Sequence, residues 1–273
     1  MYLIKNDYKK QIQDVNLNQI ISSDDTILSS AQLTAQSECL SYLRQKYDTS
    51  KEFTDTKIWS YSTAYVPHDR VYLDADAYSP TSTYALNALT LFGGNVYRCT
   101  TAVTVAETFT LSKWSLIGPQ YTIYYAVYPA PLFNYKKIYA VGDIVYYGDR
   151  KYTCRQATTL PTHSTQIQYG TIAALPQGNV FPDDPVYGAK YWTAASAYTV
   201  PAGTALSNAT YWTKADNRDQ QMVTYMIDIT LFHIHSRIAQ RSAAKDRQIY
   251  AGCAVADSGG TGGDNGGTAA AAA

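Results

Sequence analysis

The chain has 273 residues, 46% of them hydrophobic, so it is long enough for one large domain or two to three small ones and can build cores. Charged residues reach only 16%, below the roughly 25% usual in soluble domains, and Lys+Arg balances Asp+Glu at 22 each. That balance argues against a ligand gripped mainly by its phosphates, and no stretch is apolar enough for a signal peptide or a membrane span. Tyrosine supplies 26 residues against 6 Phe and 4 Trp. Its apolar ring with a polar tip suits strands and wet, extensive interfaces. Cys39, Cys99, Cys154 and Cys253 are far apart without CxxC spacing, and read as reduced thiols of a protein assembled in the cytoplasm.

Asn6 and Asp7 can cap a short helix over Tyr8–Val15, followed by a further turn over Leu17–Ile21. Ser22-Ser23-Asp24-Asp25 then reads as a helix start, a hydroxyl cap with acids in the first turn. From Ile27 to Tyr47 the apolar set Ile27, Leu28, Ala31, Ala35, Cys39, Tyr42, Leu43 and Tyr47 keeps the spacing of one buried helical face. Arg44 and Lys46 sit in its last turn, where the dipole favours them.

From Phe53 the pattern changes to short Tyr- and Val-rich runs broken by Pro, Gly and Asn, with no helical stretch before Asn217. One pattern occurs here twice. YALNALTLFGGNVYRCTTA from Tyr84 lies without a gap over YAVGDIVYYGDRKYTCRQA from Tyr139, so Gly93 matches Gly148, Tyr97 matches Tyr152 and Cys99 matches Cys154. Residues two apart on a strand share a face, so the Tyr and Cys of each copy point the same way. Trp114 closes the first copy; either Trp192 or Trp212 closes the second, in the smaller duplication Tyr191-Trp192-Thr193 and Tyr211-Trp212-Thr213. The pattern predicts two small β modules in tandem, with Cys99 and Cys154 as equivalent core positions rather than a disulfide.

Asn217–Arg241 reads as the second long helix, with Asn217 as N-cap and Gln220 placed to reach back. Met222, Tyr225, Met226, Ile229, Leu231 and Phe232 follow at helical spacing, while Val223, Ile227 and Ile234 fill much of the opposite side. A helix apolar over so much of its circumference is packed on more than one side, and the helix ending at Tyr47 is its natural partner. Ala243–Tyr250 can add two turns. Arg237, Arg241 and Lys245 are spaced by four and line one face. That stripe is either a solvated face complementing the helix C-terminus or a contact for an acidic partner or for DNA passing nearby. From Ala254 on, Gly, Ala, Ser, Thr and Asp dominate, a composition that cannot bury a core.

Three features could pass for chemistry. His233 and His235 are two apart on a helix and face different directions, so they cannot chelate one metal. Asp183-Asp184 lies in a Pro-bounded loop and reads first as a turn. Gly93-Gly94 and the glycines after Ser258 lack the strand-to-helix context and the Lys of a phosphate loop. No Ser/His/Asp or Cys/His nucleophile set is recognisable, so the chain reads as a non-enzyme without a cofactor.

The two ends resemble the tailed-phage head–tail adaptor (connector) proteins of the Mu-like head–tail joining family. The matching residues are IKNDYKKQIQDVNLNQI at the start, AQSECLSYLRQKYD, and MVTYMIDITLFHIHSRIAQ followed by RQIYAG. Between them, YAVGDIVYYGDRKYTC resembles the YxxGDxVxYxGxxY core of small chitin-binding-type carbohydrate-binding modules, with Asn87-Ala88 replacing Gly-Asp in the first copy. Pattern and resemblance together predict an α+β chain. A helical adaptor domain is expected from residues 1–55 and 214–252, β modules over 56–134 and 135–213, and a flexible tail over 253–273.

The resemblance implies a structural virion protein in the neck between capsid and tail, arranged as a dodecameric ring. Its partners would be the portal protein, neighbouring copies, the next neck or tail protein, and double-stranded DNA passing through the lumen without sequence-specific binding. Arg237, Arg241, Lys245, Arg247 and Tyr250 are the interface candidates. The alternative is a glycan-binding tail or surface protein, with Tyr139, Tyr152, Trp192 and Trp212 stacking on sugar rings.

Overall fold

The computed structural model describes residues 1–158, 181–185 and 188–237. It is α+β and divides into two compact units: Met1–Ile4 with Asp48–Arg218, and Lys5–Tyr47 with the chain from Asp219 on.

The second unit is helical. A 3-10 turn over Lys5–Lys10 precedes α1 (Asp14–Ile20) and α2 (Asp25–Leu43), and α3 covers residues 220–237. The helix expected over Tyr8–Val15 is thus split. The Tyr8 carbonyl accepts from both the Gln11 and Ile12 amides at 2.9 Å, which closes the turn while the Tyr8 ring is buried. Ser22 and Ser23 do not cap α2. Both sit at positive φ, and the cap is Asp24, whose carboxylate accepts from the Thr26 amide at 2.9 Å.

Nor does Asn217 cap α3. The Asp219 carbonyl accepts from the Val223 amide at 3.0 Å and its carboxylate from the Met222 amide at 2.8 Å, so the helix starts two residues later than its sequence suggests. Buried positions on α2 are Leu28, Ala31, Gln32, Ala35 and Cys39; on α3 they are Val223, Met226, Ile227, Thr230 and Ile234. Each set is a single stripe at helical spacing. The helices meet, with His233 Nε2 3.1 Å from Glu38 Oε2 and Arg237 Nη2 donating to Ser30 Oγ at 3.2 Å. Asp7, Tyr8, Leu17 and Ile21 are buried with them.

Among the described residues the first unit holds ten strands: β1 (Thr56–Ile58), β2 (Arg70–Tyr72), β3 (Leu89–Phe92), β4 (Asn95–Cys99), β5 (Trp114–Pro119), β6 (Ile123–Ala126), β7 (Ile144–Tyr147), β8 (Arg150–Cys154), β9 (Trp192–Ala197) and β10 (Trp212–Thr213). Short helical turns at Thr49–Glu52, Leu111–Lys113 and Gly188–Tyr191 interrupt what the sequence suggests is purely strand and turn. The strands form three sheets, ordered β3-β4-β5, β7-β8-β9 and β1-β2-β6-β10.

The first two sheets are the expected copies, in matching register. Thr90 pairs Tyr97 as Val145 pairs Tyr152, and Cys99 pairs Trp114 as Cys154 pairs Trp192. Both hairpins turn through two residues with positive φ, Gly93-Gly94 and Gly148-Asp149, the type I′ arrangement suited to strand twist. Trp192, not Trp212, closes the second copy.

The third sheet is a further copy of the same module, where the sequence predicts only two. Val71 pairs Tyr124 and Trp212 pairs Ala126, the equivalents of Thr90–Tyr97 and Trp114–Cys99. His68 has φ 72, as Asn87 has φ 67 and Gly142 has φ 94, at the same turn. The Tyr65 hydroxyl accepts from the Ser60 amide at 2.8 Å, Tyr84 from Ser79 at 2.7 Å and Tyr139 from Asn134 at 2.7 Å. Each of these tyrosines meets its tryptophan edge-on at 5.2 Å: Tyr65–Trp212, Tyr84–Trp114 and Tyr139–Trp192. The indole N–H of all three tryptophans is buried without an acceptor among the described residues.

The third copy is split along the chain. Where the first two have a two-residue hairpin turn, it has the whole first module, between β2 and β6. The second module occupies its β6-to-β10 connection. The central core consists of Trp59, Tyr65, Val71, Leu73, Tyr124, Ala126, Val200, Leu206 and Trp212, and takes in Val96 from the first module.

This unit is clasped where the chain enters and leaves it. Arg70 donates to the Thr54 carbonyl at 3.0 Å and to Asn217 Oδ1 at 2.8 Å, tying the two together. Met1–Ile4 belongs here, not with the helices. The Thr56 amide donates to the Met1 carbonyl at 2.8 Å, Arg218 donates to the Tyr2 carbonyl at 2.9 Å, and Tyr2, Leu3 and Ile4 are buried.

Candidate functional site

The buried stripe of α3 faces the helical core, and its opposite side is also apolar. Tyr225, Ile229 and Phe232 lie there, with Tyr225 48% and Phe232 66% exposed. The sequence places both aromatics among the packed positions; the structure leaves them uncovered, because residues 225 and 232 lie across the helix from the line of 223, 230 and 234. The end of α2 behaves likewise. Tyr42 and Tyr47 extend the buried stripe in sequence but lie beyond the last core position, Cys39, and are 71% and 67% exposed. Arg44 and Lys46 lie between these two tyrosines in the chain, and Asp228 is three and four residues from the α3 aromatics; all three are exposed and make no ion pair among the described residues.

Of the expected basic stripe, Arg237 is exposed and bonded to Ser30. Arg241, Lys245, Arg247 and Tyr250, and the tail from residue 253, lie outside the described residues. His233 is engaged with Glu38 and His235 is exposed, in keeping with their divergent directions. Tyr8 lies at the helical core with Thr230 and Gln32 as polar neighbours, and burial pushes its phenol up to about 12.

The four aromatics expected to stack on sugars are core residues. Tyr139, Tyr152, Trp192 and Trp212 are all buried, the first three packed in the second module and Trp212 in the central core. They pack in clusters with Phe133, Cys154, Tyr191 and Tyr65, so none offers a free ring to a glycan. The aromatics at module surfaces are others. Phe92 stacks on Phe109 at 4.0 Å, and Tyr147 meets Phe181 at 5.6 Å.

A shallow cleft of about 340 Å³ lies beside the central module, lined by His68, Tyr125, Tyr128, Pro131, Leu132 and Tyr146. Tyr128 stacks on Tyr146 at 3.9 Å and donates to Asp149 Oδ1 at 2.5 Å. Burial, then the bond to Asp149 and its charge, raise the Tyr128 phenol. No carboxylate among the described residues lines the cleft. Among the described residues no group of three or more His, Cys, Asp or Glu could hold a metal ion, and no helix is long and apolar enough to cross a membrane.

The sequence assigns Arg44 and Lys46 only to the helix end and gives Asp228 no partner role; the structure leaves all three exposed near exposed aromatics. The available signal was α3 itself, apolar on two opposite sides, of which one chain covers only one. No protein-family model matches this chain, and no curated protein matches it.

Proposed function

We propose that this chain is a structural virion protein of a tailed phage, a head–tail adaptor whose copies form a ring between portal and tail, with DNA passing through the lumen. The observation that carries the reading is the pairing of α2 with α3. The two segments that resemble the adaptor family stand at opposite ends of the β region, yet form one helical unit through the contacts of Glu38 with His233 and Ser30 with Arg237. A β unit whose ends are clasped together by Arg70 suits an insertion into such a helical unit, since an inserted module must begin and end close together. On this reading the helices and the basic segment from Arg237 on make the ring and portal contacts. The tyrosine-rich β modules line the outside of the neck or meet the next tail protein.

The test is co-purification of the full-length chain with the portal protein, together with immunogold labelling of virions. Portal binding and label at the neck are expected. Label on tail tips or fibres, with no portal binding, overturns the adaptor reading.

A further inference from the structure

We infer that the outward face of α3 docks on the α2 end of a second copy of this chain. The inference rests on the ring reading above and names its subunit contact. Tyr225, Ile229 and Phe232 form an apolar stripe turned away from the unit's own core, beside the Asp228 carboxylate, which makes no ion pair among the described residues. Tyr42 in the last turn of α2 and Tyr47 just beyond it are exposed as well, and the cations Arg44 and Lys46 between them in the chain make no ion pair among the described residues.

The charges select the pairing. A two-fold contact of the α3 stripe with itself brings Asp228 toward Asp228, and a two-fold contact of the α2 end brings four cations together. Both juxtapose like charges, which costs specificity and affinity. The stripe on the α2 end sets carboxylate against guanidinium and ammonium while burying four aromatic rings. Such a contact joins two different patches, so each copy keeps one patch free for the next. Contacts of this kind propagate head to tail and close as a ring when the rotation permits.

The experiment uses the full-length chain in sedimentation velocity and mass photometry, alone and with purified portal protein. Asp228→Lys is expected to weaken assembly at least about tenfold, the Arg44→Glu/Lys46→Glu double variant likewise, and the combined reversal to restore it to within about threefold. Circular dichroism keeps the helical content of each variant in view, and rescue by the combined variant cannot come from a folding defect. Rings that form normally in every variant overturn this contact and leave the adaptor reading standing, as does a chain that stays monomeric yet binds the portal. Assembly that appears only when residues 238–273 are removed makes the chain's own tail the occupant, which also overturns it. A chain that neither assembles nor binds the portal removes both readings.

Discussion

Replacing Tyr139 with Phe removes one oxygen from a ring that is almost wholly buried, and that oxygen makes two hydrogen bonds to one residue. The hydroxyl accepts from the Asn134 amide at 2.7 Å and donates to the Asn134 carbonyl at 3.2 Å. Each bond contributes about 0.5–1.5 kcal/mol net, and a stranded backbone group costs about 1–3 kcal/mol when water cannot reach it. Asn134 is exposed, so water can replace part of the loss, and Tyr139→Phe should cost about 1–2 kcal/mol. Tyr65 makes the same two bonds to Ser60, which is half-buried, so Tyr65→Phe should cost more, about 2–3 kcal/mol. Tyr84→Phe, acting on half-buried Ser79, should resemble Tyr65→Phe. Three modules in one chain need not unfold together, so a single denaturation midpoint is a blunt readout. Amide hydrogen exchange is the sharper one. Each substitution should speed exchange at its own partner, Asn134, Ser60 or Ser79, by about 10–100-fold and leave the other two unchanged. If Tyr65→Phe leaves Ser60 exchange unaltered while Tyr139→Phe exposes Asn134, the third sheet is not a copy of the other two.

Met226→Ala should cost about 2–5 kcal/mol in chemical denaturation while Phe232→Ala stays within about 0.5 kcal/mol, since only Met226 is in the core; the reverse order would mean that α3 is rotated. Tyr8 has its phenol pushed up to about 12 by burial, so the folded chain holds that proton after the unfolded chain has lost it. The stabilisation is complete below about pH 10 and is lost as pH rises from there toward 12; Tyr8→Phe should flatten this part of the stability-against-pH curve, and an unchanged curve would count against the burial argument. Cys99 and Cys154 are free and buried in separate module cores, so mass mapping without reductant should find both as thiols that alkylate only on unfolding, and a Cys99–Cys154 bridge would refute the equivalence.

The helices were legible because hydrophobic spacing and caps are local signals, and the errors there are local as well. Sequence alone does not separate Asn217 from Asp219 as a cap. The choice depends on Arg70, far away in the chain, which engages the Asn217 side chain. Nor does it separate a core aromatic from an exposed one. Tyr42 keeps the stripe spacing, but the core ends at Cys39. The same limit applies to Trp192 and Trp212: aromatic rings suggest ligands, while both are buried in cores built by strands paired at long range.

The third module was hidden for a different reason, and its one contiguous trace, YVPHDRVYLD from Tyr65, shows what kind of insertion the fold admits. That run matches YAVGDIVYYGD in its Tyr, its Asp and its alternating strand, and Asp69 accepts from the Val66 amide as Asp143 does from Ala140, both at 2.9 Å. Its hairpin partner and closing tryptophan lie far along the chain, so no gapless comparison can pair them. Both interruptions fall at points where the module tolerates added length. A hairpin tip ends with its two strands adjacent, so a compact module with neighbouring ends can replace the turn without moving either strand. The connection that follows the second strand already varies between the continuous copies, from Thr100–Lys113 in the first to residues 155–191 in the second. Closing a longer loop costs only slowly more entropy, so this connection can also accept a whole module. The strand pairings, the Tyr–Trp contact and the positive-φ turn survive both insertions because none of them lies in the segments replaced. The β unit is therefore built, among the described residues, from three repetitions of one set of contacts, two continuous and one assembled around them.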